Sequence, residues 1–365
     1  MISKLKTILL NIIAGANIVT VILMLISGYS DHLSPADYPL LACAGMVFPI
    51  FLIANLLFVP LWVFLSWKRL LIPVVGLVLA YVPIRTFIPL HGKSDVPDDA
   101  ILIVSYNVCG YGGNYKYDLA LDTVLNYLKA HHPDIVCIQE DMTSKWNNAL
   151  ERYAEIFPYN DTTRVSTSST IVNAVGIHTR FPIIRKEVIP YNSPTNGSVA
   201  YYLNVDGDTI VVVNNHLEST HLNTEDRNRY KDIINGEVQR DTIPSETNQL
   251  MHKLMQAMTI RAGHVDIIHH CVDSLQQLYP VIVCGDFNDT PISYTRHRMA
   301  EDLTDCYVET GMGLGLSFNQ RGFNFRIDHL MCSSHFTPYQ CKIDNKMDAS
   351  DHYPLLCWLK KREKP

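Results

Sequence analysis

Six apolar runs of this 365-residue chain end in side chains able to hold a cation or move a proton. SYNV carries Asn107, CIQE ends with Glu140 and VVVNNH with His216. VIVCGDFND carries Asp286 and Asn288, RIDH carries Asp328, and SDH carries Asp351 and His352. Carboxylate and amide oxygens suit a hard divalent cation. A histidine beside a carboxylate suits proton transfer and phosphate contact near neutral pH. Each residue alone has an ordinary explanation: a turn for Asn107, exposure for Glu140, packing for His216, a capped turn for Asp351. Burying such groups without partners costs several kcal/mol each, so six repeats of one choice point to a shared site. In α/β sheets, strand ends are where ligands collect.

The elements that must position these residues follow from periodicity. From Asp98 onward the pattern is that of a mixed α/β domain. AILIVSYNV, DIVCIQE, AVGIHT, YYLNV, TIVVVNNHL, PVIVCGD, RIDHLMC and SDHYPLLCWL read as strands. Leu121, Val124, Leu125 and Leu128 recur at helical spacing. Residues 245–278 form the longest helical candidate, with an apolar stripe through Leu250, Leu254, Met258, Val265, Ile268, Val272 and Leu275. Val205–Thr209 reads as a hairpin turn.

The first ninety residues differ in kind. They hold seven charges and three apolar runs, Ile8–Ser27, Leu40–Leu65 and Leu70–Leu90. Each run approaches or exceeds the roughly 20 residues that cross a bilayer. A cleaved signal peptide would explain the first run alone. Three transmembrane helices are therefore expected, with Arg85 snorkelling near the end of the third. Lys4, Lys6, Lys68 and Arg69 flank the expected cytoplasmic ends, and the loop with Asp31 and Asp37 has no basic residue. The positive-inside rule then puts the rest of the chain outside the cytoplasm. The reading is a multi-pass inner (plasma) membrane protein with residues 94–365 on the periplasmic side and residues 1–93 as its anchor.

Composition narrows the partners. The whole chain carries 30 basic and 36 acidic residues, net −6. The acids concentrate after the apolar region, where 25 basic residues face 34 acidic ones. Gripping a long phosphate backbone needs a basic face, so long duplex DNA is disfavoured, while a small phosphoester bound through a metal is not. The nine cysteines form no CxxC pair, which leaves zinc-knuckle and thioredoxin motifs unsupported. A disulfide among Cys271, Cys306, Cys341 and Cys357 stays open.

In order and spacing, SYNV, IQE, NNHLES, GDFNDTP, RIDHL and SDHYPL resemble the endonuclease/exonuclease/phosphatase superfamily, over about Ala100–Leu359. The continuation GDFNDTPISY is similar to a membrane-anchored bacterial branch. The resemblance implies a four-layered α/β sandwich, two packed mixed sheets flanked by helices, of the pancreatic-type deoxyribonuclease kind. It implies phosphoester cleavage by in-line attack of water with Mg²⁺ or Mn²⁺. Glu140 matches the principal metal ligand, and Asn107 and Asp351 match positions that help hold the ion or its waters. Asp286 matches the carboxylate that orients or deprotonates the water, and Asn288 the amide that steadies it. His352 matches the histidine on the scissile phosphate and Asp328 its carboxylate partner. His216 matches a second histidine, a candidate general acid, with Asn173 as its polar partner. Some relatives carry an acid where this chain has Cys109, so a single essential ion is expected and Cys109 reads as core.

The expected function is a membrane-anchored, metal-dependent phosphoesterase. Its substrate is a nucleic acid, a phosphorylated small molecule or a lipid head group. Tyr191–Ser198 and the long helix are the expected substrate-selecting regions. A catalytically inactive phosphate-binding or scaffold protein on the same fold is the alternative; loss of an essential acid or histidine would mark it, and none is lost.

Overall fold

A computed structural model describes residues 2–112, 117–143, 148–167, 173–220, 225–226, 228, 243–320 and 323–362. The chain begins with helices α1 (Ile2–Gly28), α2 (Pro39–Ala42), α3 (Phe48–Leu65), α4 (Leu71–Leu79) and α5 (Tyr81–Phe87). α1 and the stretch Pro39–Leu65 are each long and apolar enough to cross a bilayer. The third expected crossing is broken: the stretch 67–79 and α5 meet at a 62° bend. Pro83 has no N–H to give the Leu79 carbonyl, which accepts the Tyr29 hydroxyl at 2.7 Å instead. Asn17, fully buried, donates from Nδ2 to Asn55 Oδ1 at 3.1 Å and accepts at Oδ1 from Trp62 Nε1 at 2.8 Å, and so ties α1 to α3.

The remaining chain alternates strands and helices. First come β1 (Ile101–Asn107), α6 (Tyr117–His131), β2 (Ile135–Gln139), α7 (Ala149–Ala154), β3 (Tyr159–Arg164) and β4 (Ala174–Thr179). Then follow β5 (Ile183–Val188), β6 (Gly197–Val205), β7 (Asp208–His216), α8 (Ile243–Gln276) and β8 (Val281–Asp286). The chain closes with α9 (Tyr294–Met299), β9 (Thr304–Asp305), α10 (Cys306–Thr310), β10 (Phe318–Gln320), β11 (Phe323–Phe325), β12 (Asp328–Cys332), β13 (Phe336–Ile343) and β14 (Leu355–Lys361). One six-stranded sheet has the order β13-β14-β1-β2-β4-β3 and the other β5-β6-β7-β8-β12-β9. β1–β2 and β7–β8 pair in parallel, and their neighbours pair antiparallel.

The two sheets face each other across Ile103, Cys137, Ile177, Tyr201, Val212 and Cys284. Outside one sheet, α6 packs Leu121, Val124 and Leu128 on Val104 and Tyr106. Outside the other, α8 packs Val265, Ile268 and Val272 on Val211 and Val283. This is the expected four-layered sandwich. Central strands buried on both faces read as unbroken β-branched runs, which is why sequence alone located them. Edge strands β3 and β5 escaped that reading, because β5 turns Arg185, Lys186 and Glu187 to solvent. The β6–β7 turn is the expected hairpin, with positive φ at both Asp206 and Gly207.

The stripe of α8 serves two surfaces. Its C-terminal half covers the sheet, while Leu250, Leu254 and Met258 pack against Cys43 of the N-terminal segment. That segment docks closely elsewhere too. A Cβ on Gly45 would lie 2.1 Å from the Ile292 carbonyl oxygen. Asp31 faces Arg296 at 3.6 Å, and Thr259 Oγ1 donates to the Pro35 carbonyl at 3.2 Å. Arg85, expected at a lipid interface, pairs with Glu309 on α10 instead. All nine cysteines are free. Cys306, Cys341 and Cys357 sit in the inter-sheet core and Cys271 in the outer layer, so the open disulfide is not formed.

Two residues next to the strand ends carry testable structural loads. Gly285 has φ +134°, and a Cβ there would meet the Asn215 carbonyl oxygen at 2.0 Å. Gly285→Ala is expected to destabilise the protein by about 2–4 kcal/mol, read as a lowered Tm. His329 is buried, and its Nε2 lies 3.1 Å from the Asp289 carbonyl oxygen. Burial pushes its pKa down from 6.5 to about 4. Between those values the unfolded chain binds a proton that the native chain does not, so stability falls as pH drops from about 6.5 to 4, by up to about 3 kcal/mol. Equilibrium unfolding of His329→Gln should show a shallower acid slope; an unchanged slope would rule His329 out as its source.

Candidate active site

Register brings the chemistry together. His216, the last residue of β7, pairs with Asp286, the last residue of β8, and Asp286 pairs in turn with Asp328, the first residue of β12. In the facing sheet Asn107 ends β1, opposite Gln139 of β2, and Glu140 follows directly. Two buried amides brace the sheets beneath the site. Gln139 Nε2 donates to Asn214 Oδ1 at 2.7 Å, and Asn214 Nδ2 reaches the carbonyls of Ile138 and Gly176. The motif residues Gln139 and Asn214 therefore set the spacing of the sheets, a role their sequence neighbours concealed.

Asp286 Oδ2 is the meeting point. It accepts from Asn107 Nδ2 at 3.0 Å and lies 3.8 Å from His216 Nε2 and 3.7 Å from His352 Nε2. Its other oxygen accepts the Asn288 backbone N–H at 2.8 Å. Burial raises its carboxyl to about 6, against the pull of His352 and His216 and with the repulsion of Asp328. An acid poised there can take a proton near neutral pH.

His352 Nδ1 and Asp328 Oδ2 are 2.8 Å apart. Burial alone would push this imidazole down, but Asp328 and Asp286 outweigh it and raise it to about 10. His352 is thus a cation at neutral pH. Ser350 anchors its turn by donating its hydroxyl to the Asn107 carbonyl at 2.8 Å. Asp351 and His352 precede β14 in this turn, rather than lying within the final strand.

His216 behaves differently. Its Nδ1 lies 2.9 Å from the Asn173 amide nitrogen, so the expected partnership is made. With that amide donating, the imidazole proton sits on Nε2, toward Glu140 and Asp286. Burial lowers its pKa below 6.5, partly offset by Asp286, so the ring is neutral at pH 7. A neutral imidazole donates a hydrogen bond well but gives up a proton poorly. That weighs against the expected general-acid role and favours His352 for it.

Glu140 opens 37% of its side-chain surface onto the cleft. The cleft walls still desolvate its carboxyl and raise its pKa, and Asp351 raises it further. Glu140 and Asp351 line one cavity, and their oxygens match what a hard divalent cation accepts. Asn107 turns its amide nitrogen toward Glu140 and Asp286, while its oxygen accepts the Cys109 N–H at 3.0 Å. In this orientation Asn107 positions the two carboxylates. Asp286, Asp328 and His352 also lie within 4.8 Å of one another, but a protonated imidazole offers an ion no lone pair. Glu140 and Asn288 both adopt positive φ, 54° and 52°. Backbone strain of this kind collects at functional sites.

Glu140, His216, Asp286, Asn288, Asp351 and His352 line a cavity of about 300 Å³, which Arg261 of α8 also lines; Asn107, Asn173 and Asp328 lie behind that lining. Arg261 is buried and donates to Asp289 Oδ2 at 3.2 Å and to the Glu218 carbonyl at 3.0 Å. Asp289 also accepts from Thr295, so it shapes the exit turn as expected and fixes a pocket arginine as well. Only the i, i+4 register of α8 could have suggested Arg261, and its apolar stripe hid that signal.

A model of the endonuclease/exonuclease/phosphatase family matches residues 104–352, and one of a domain of unknown function (DUF8431) matches residues 10–87. A search of curated proteins finds no match. Among solved structures, the catalytic domain of human nocturnin aligns at 16% identity with a TM-score of 0.52, over 74% of this chain and 97% of that one. An endonuclease/exonuclease/phosphatase family protein from Bacteroides thetaiotaomicron aligns at 15% identity with a TM-score of 0.52, over 73% and 99%. A mannosyl-6-phosphatase from the same organism aligns at 16% identity with a TM-score of 0.51, over 71% and 99%. These likenesses are likenesses of fold, and the family match spans the chain from Val104 to His352. The chain belongs to the endonuclease/exonuclease/phosphatase family.

Proposed function

We propose that the protein is a membrane-anchored phosphoesterase that hydrolyses its substrate by in-line attack of water with one bound Mg²⁺ or Mn²⁺. The observation that carries this reading is Asp286, a buried carboxylate near-neutral in pKa and shared by Asn107, His216 and the charged His352. Glu140 and Asp351 are the residues that would hold the ion. When bound, it would neutralise phosphate charge and polarise the ester. Asp286 takes the proton of the attacking water. Asn288, whose Nδ2 is committed to the Leu217 carbonyl at 2.9 Å, has its amide oxygen left to orient that water. His352 neutralises the scissile phosphate and gives a proton to the departing oxygen as the P–O bond breaks. His216 donates a hydrogen bond from Nε2 to the phosphate, and Asn173 holds its tautomer.

Residues 1–93 serve as the anchor and 94–365 as the catalytic part in this reading. The contacts between them support an extracytoplasmic site. They are made by residues 31–46 and 85–91, whereas Lys4, Lys6, Lys68 and Arg69 lie at the other ends of the helices.

Purified full-length protein should hydrolyse p-nitrophenyl phosphate or bis-p-nitrophenyl phosphate with Mg²⁺ or Mn²⁺ and lose that activity in EDTA. Asp286→Asn and His352→Ala should each lower kcat by about 10²-fold; undiminished turnover in either would remove that residue from the mechanism. Since His352 acts protonated, activity should fall as pH rises toward 10. Asp328→Asn removes the carboxylate that raises His352, so this basic limb should move to lower pH. A limb that stays in place would assign the proton to another group.

A further inference from the structure

The wall of the active-site cavity opposite the catalytic residues is apolar. Leu250, Leu254 and Met258 come from α8, Phe325 from β11, and Met46 from the N-terminal helical segment. Met46 lies two residues before α3, within the stretch Pro39–Leu65 that is long and apolar enough to cross a bilayer. A second cavity of about 210 Å³ adjoins the first and shares Met46, Thr290 and Phe325 with it. Gly45, Pro49 and Phe87 line this second cavity, so the N-terminal helices form much of its wall. Its rim includes Leu314, 42% exposed, and nearby Val47 and Ile50 expose 39% and 62%. The two cavities thus meet at Met46, Thr290 and Phe325, and the lining of the second is mostly apolar, with Asn324 and Arg326 as its other polar side chains.

Charge points the same way. Among the described residues lining the active-site cavity, Arg261 is the one Lys or Arg, and it is already held by Asp289 and the Glu218 carbonyl. This suits one phosphate group, whereas a nucleic-acid backbone needs a track of basic residues. The acidic charge of the chain beyond residue 90 adds repulsion of polyanions.

We propose that the substrate is a phospholipid drawn from the same bilayer. Its phosphate sits in the active-site cavity against His352 and His216, and its acyl chain crosses the Met46–Phe325 seam into the second cavity. The inference rests on the phosphoesterase reading and adds the substrate class to it. It gives the N-terminal segment a share in substrate binding, beyond anchoring.

The test uses full-length protein with Mn²⁺ in mixed detergent micelles. Head-group or phosphate release is measured for dibutyroyl, dioctanoyl and dilauroyl forms of phosphatidylglycerol and phosphatidic acid. Bis-p-nitrophenyl phosphate and a single-stranded DNA oligonucleotide are run beside them. We expect kcat/KM to rise at least about tenfold from dibutyroyl to dilauroyl substrate, as each buried methylene adds favourable transfer free energy. Met46→Asp should remove most of that gain, and Phe325→Ala, on the facing wall, should do the same if the first variant fails to fold. Hydrolysis of bis-p-nitrophenyl phosphate without chain-length dependence would overturn the lipid assignment and leave the phosphoesterase reading intact. Preference for the oligonucleotide over every lipid would replace it with a nuclease. No metal-dependent hydrolysis of any probe would overturn both readings together.

Discussion

The arrangement of the whole molecule turns on one buried carboxylate. Asp286 is 1% exposed, and burial of an acid is tolerated only where hydrogen bonds and charge replace its water. Those partners come from separate elements: Asn107 from the facing sheet, His216 from the neighbouring strand, and His352 from the turn before β14. Gly285 lets β8 approach β7 closely enough for the pairing, and the Gln139–Asn214 bridge holds the sheets at the spacing that Asn107 needs. A slip of one residue in β8 would turn the carboxylate to the opposite face. The register of the central strands is thus inseparable from the electrostatics of the site.

The same environment separates two histidines of similar burial. His352 has a carboxylate on Nδ1 and is raised to about 10, whereas His216 has an amide there and is lowered. One ring carries a charge, and the other presents a neutral N–H. Environments that push like groups apart in pKa divide acid, base and hydrogen-bonding duties among them. The division rests on the difference between Asp328 and Asn173.

The N-terminal helices are more closely joined to the sandwich than a flexible tether would be. Gly45 against Ile292, Cys43 against Met258, and Arg326 reaching the Thr86 carbonyl make a continuous packed junction. Half of the α8 stripe is spent on it. An apolar stripe longer than the sheet it covers is the one trace of this junction in the sequence, and nothing in the stripe says what it meets.

The sequence by itself determined the mixed α/β pattern, the long helix and the ordered set of polar strand ends, and the layered arrangement followed from the family resemblance. Strands buried on both faces and amphipathic helices write their periodicity locally, and the motifs from SYNV to SDHYPL keep fixed order along the chain. The edge strands β3 and β5 were illegible because exposed strands need no apolar alternation. The break at residue 80, the pairing of Arg85 with Glu309, the neutral state of His216 and the placing of Arg261 and Met46 in the cleft were decided only by tertiary structure. Each depends on a partner distant in sequence, through desolvation, opposing charge or contact. Such effects act through space and leave no periodic signal in the chain.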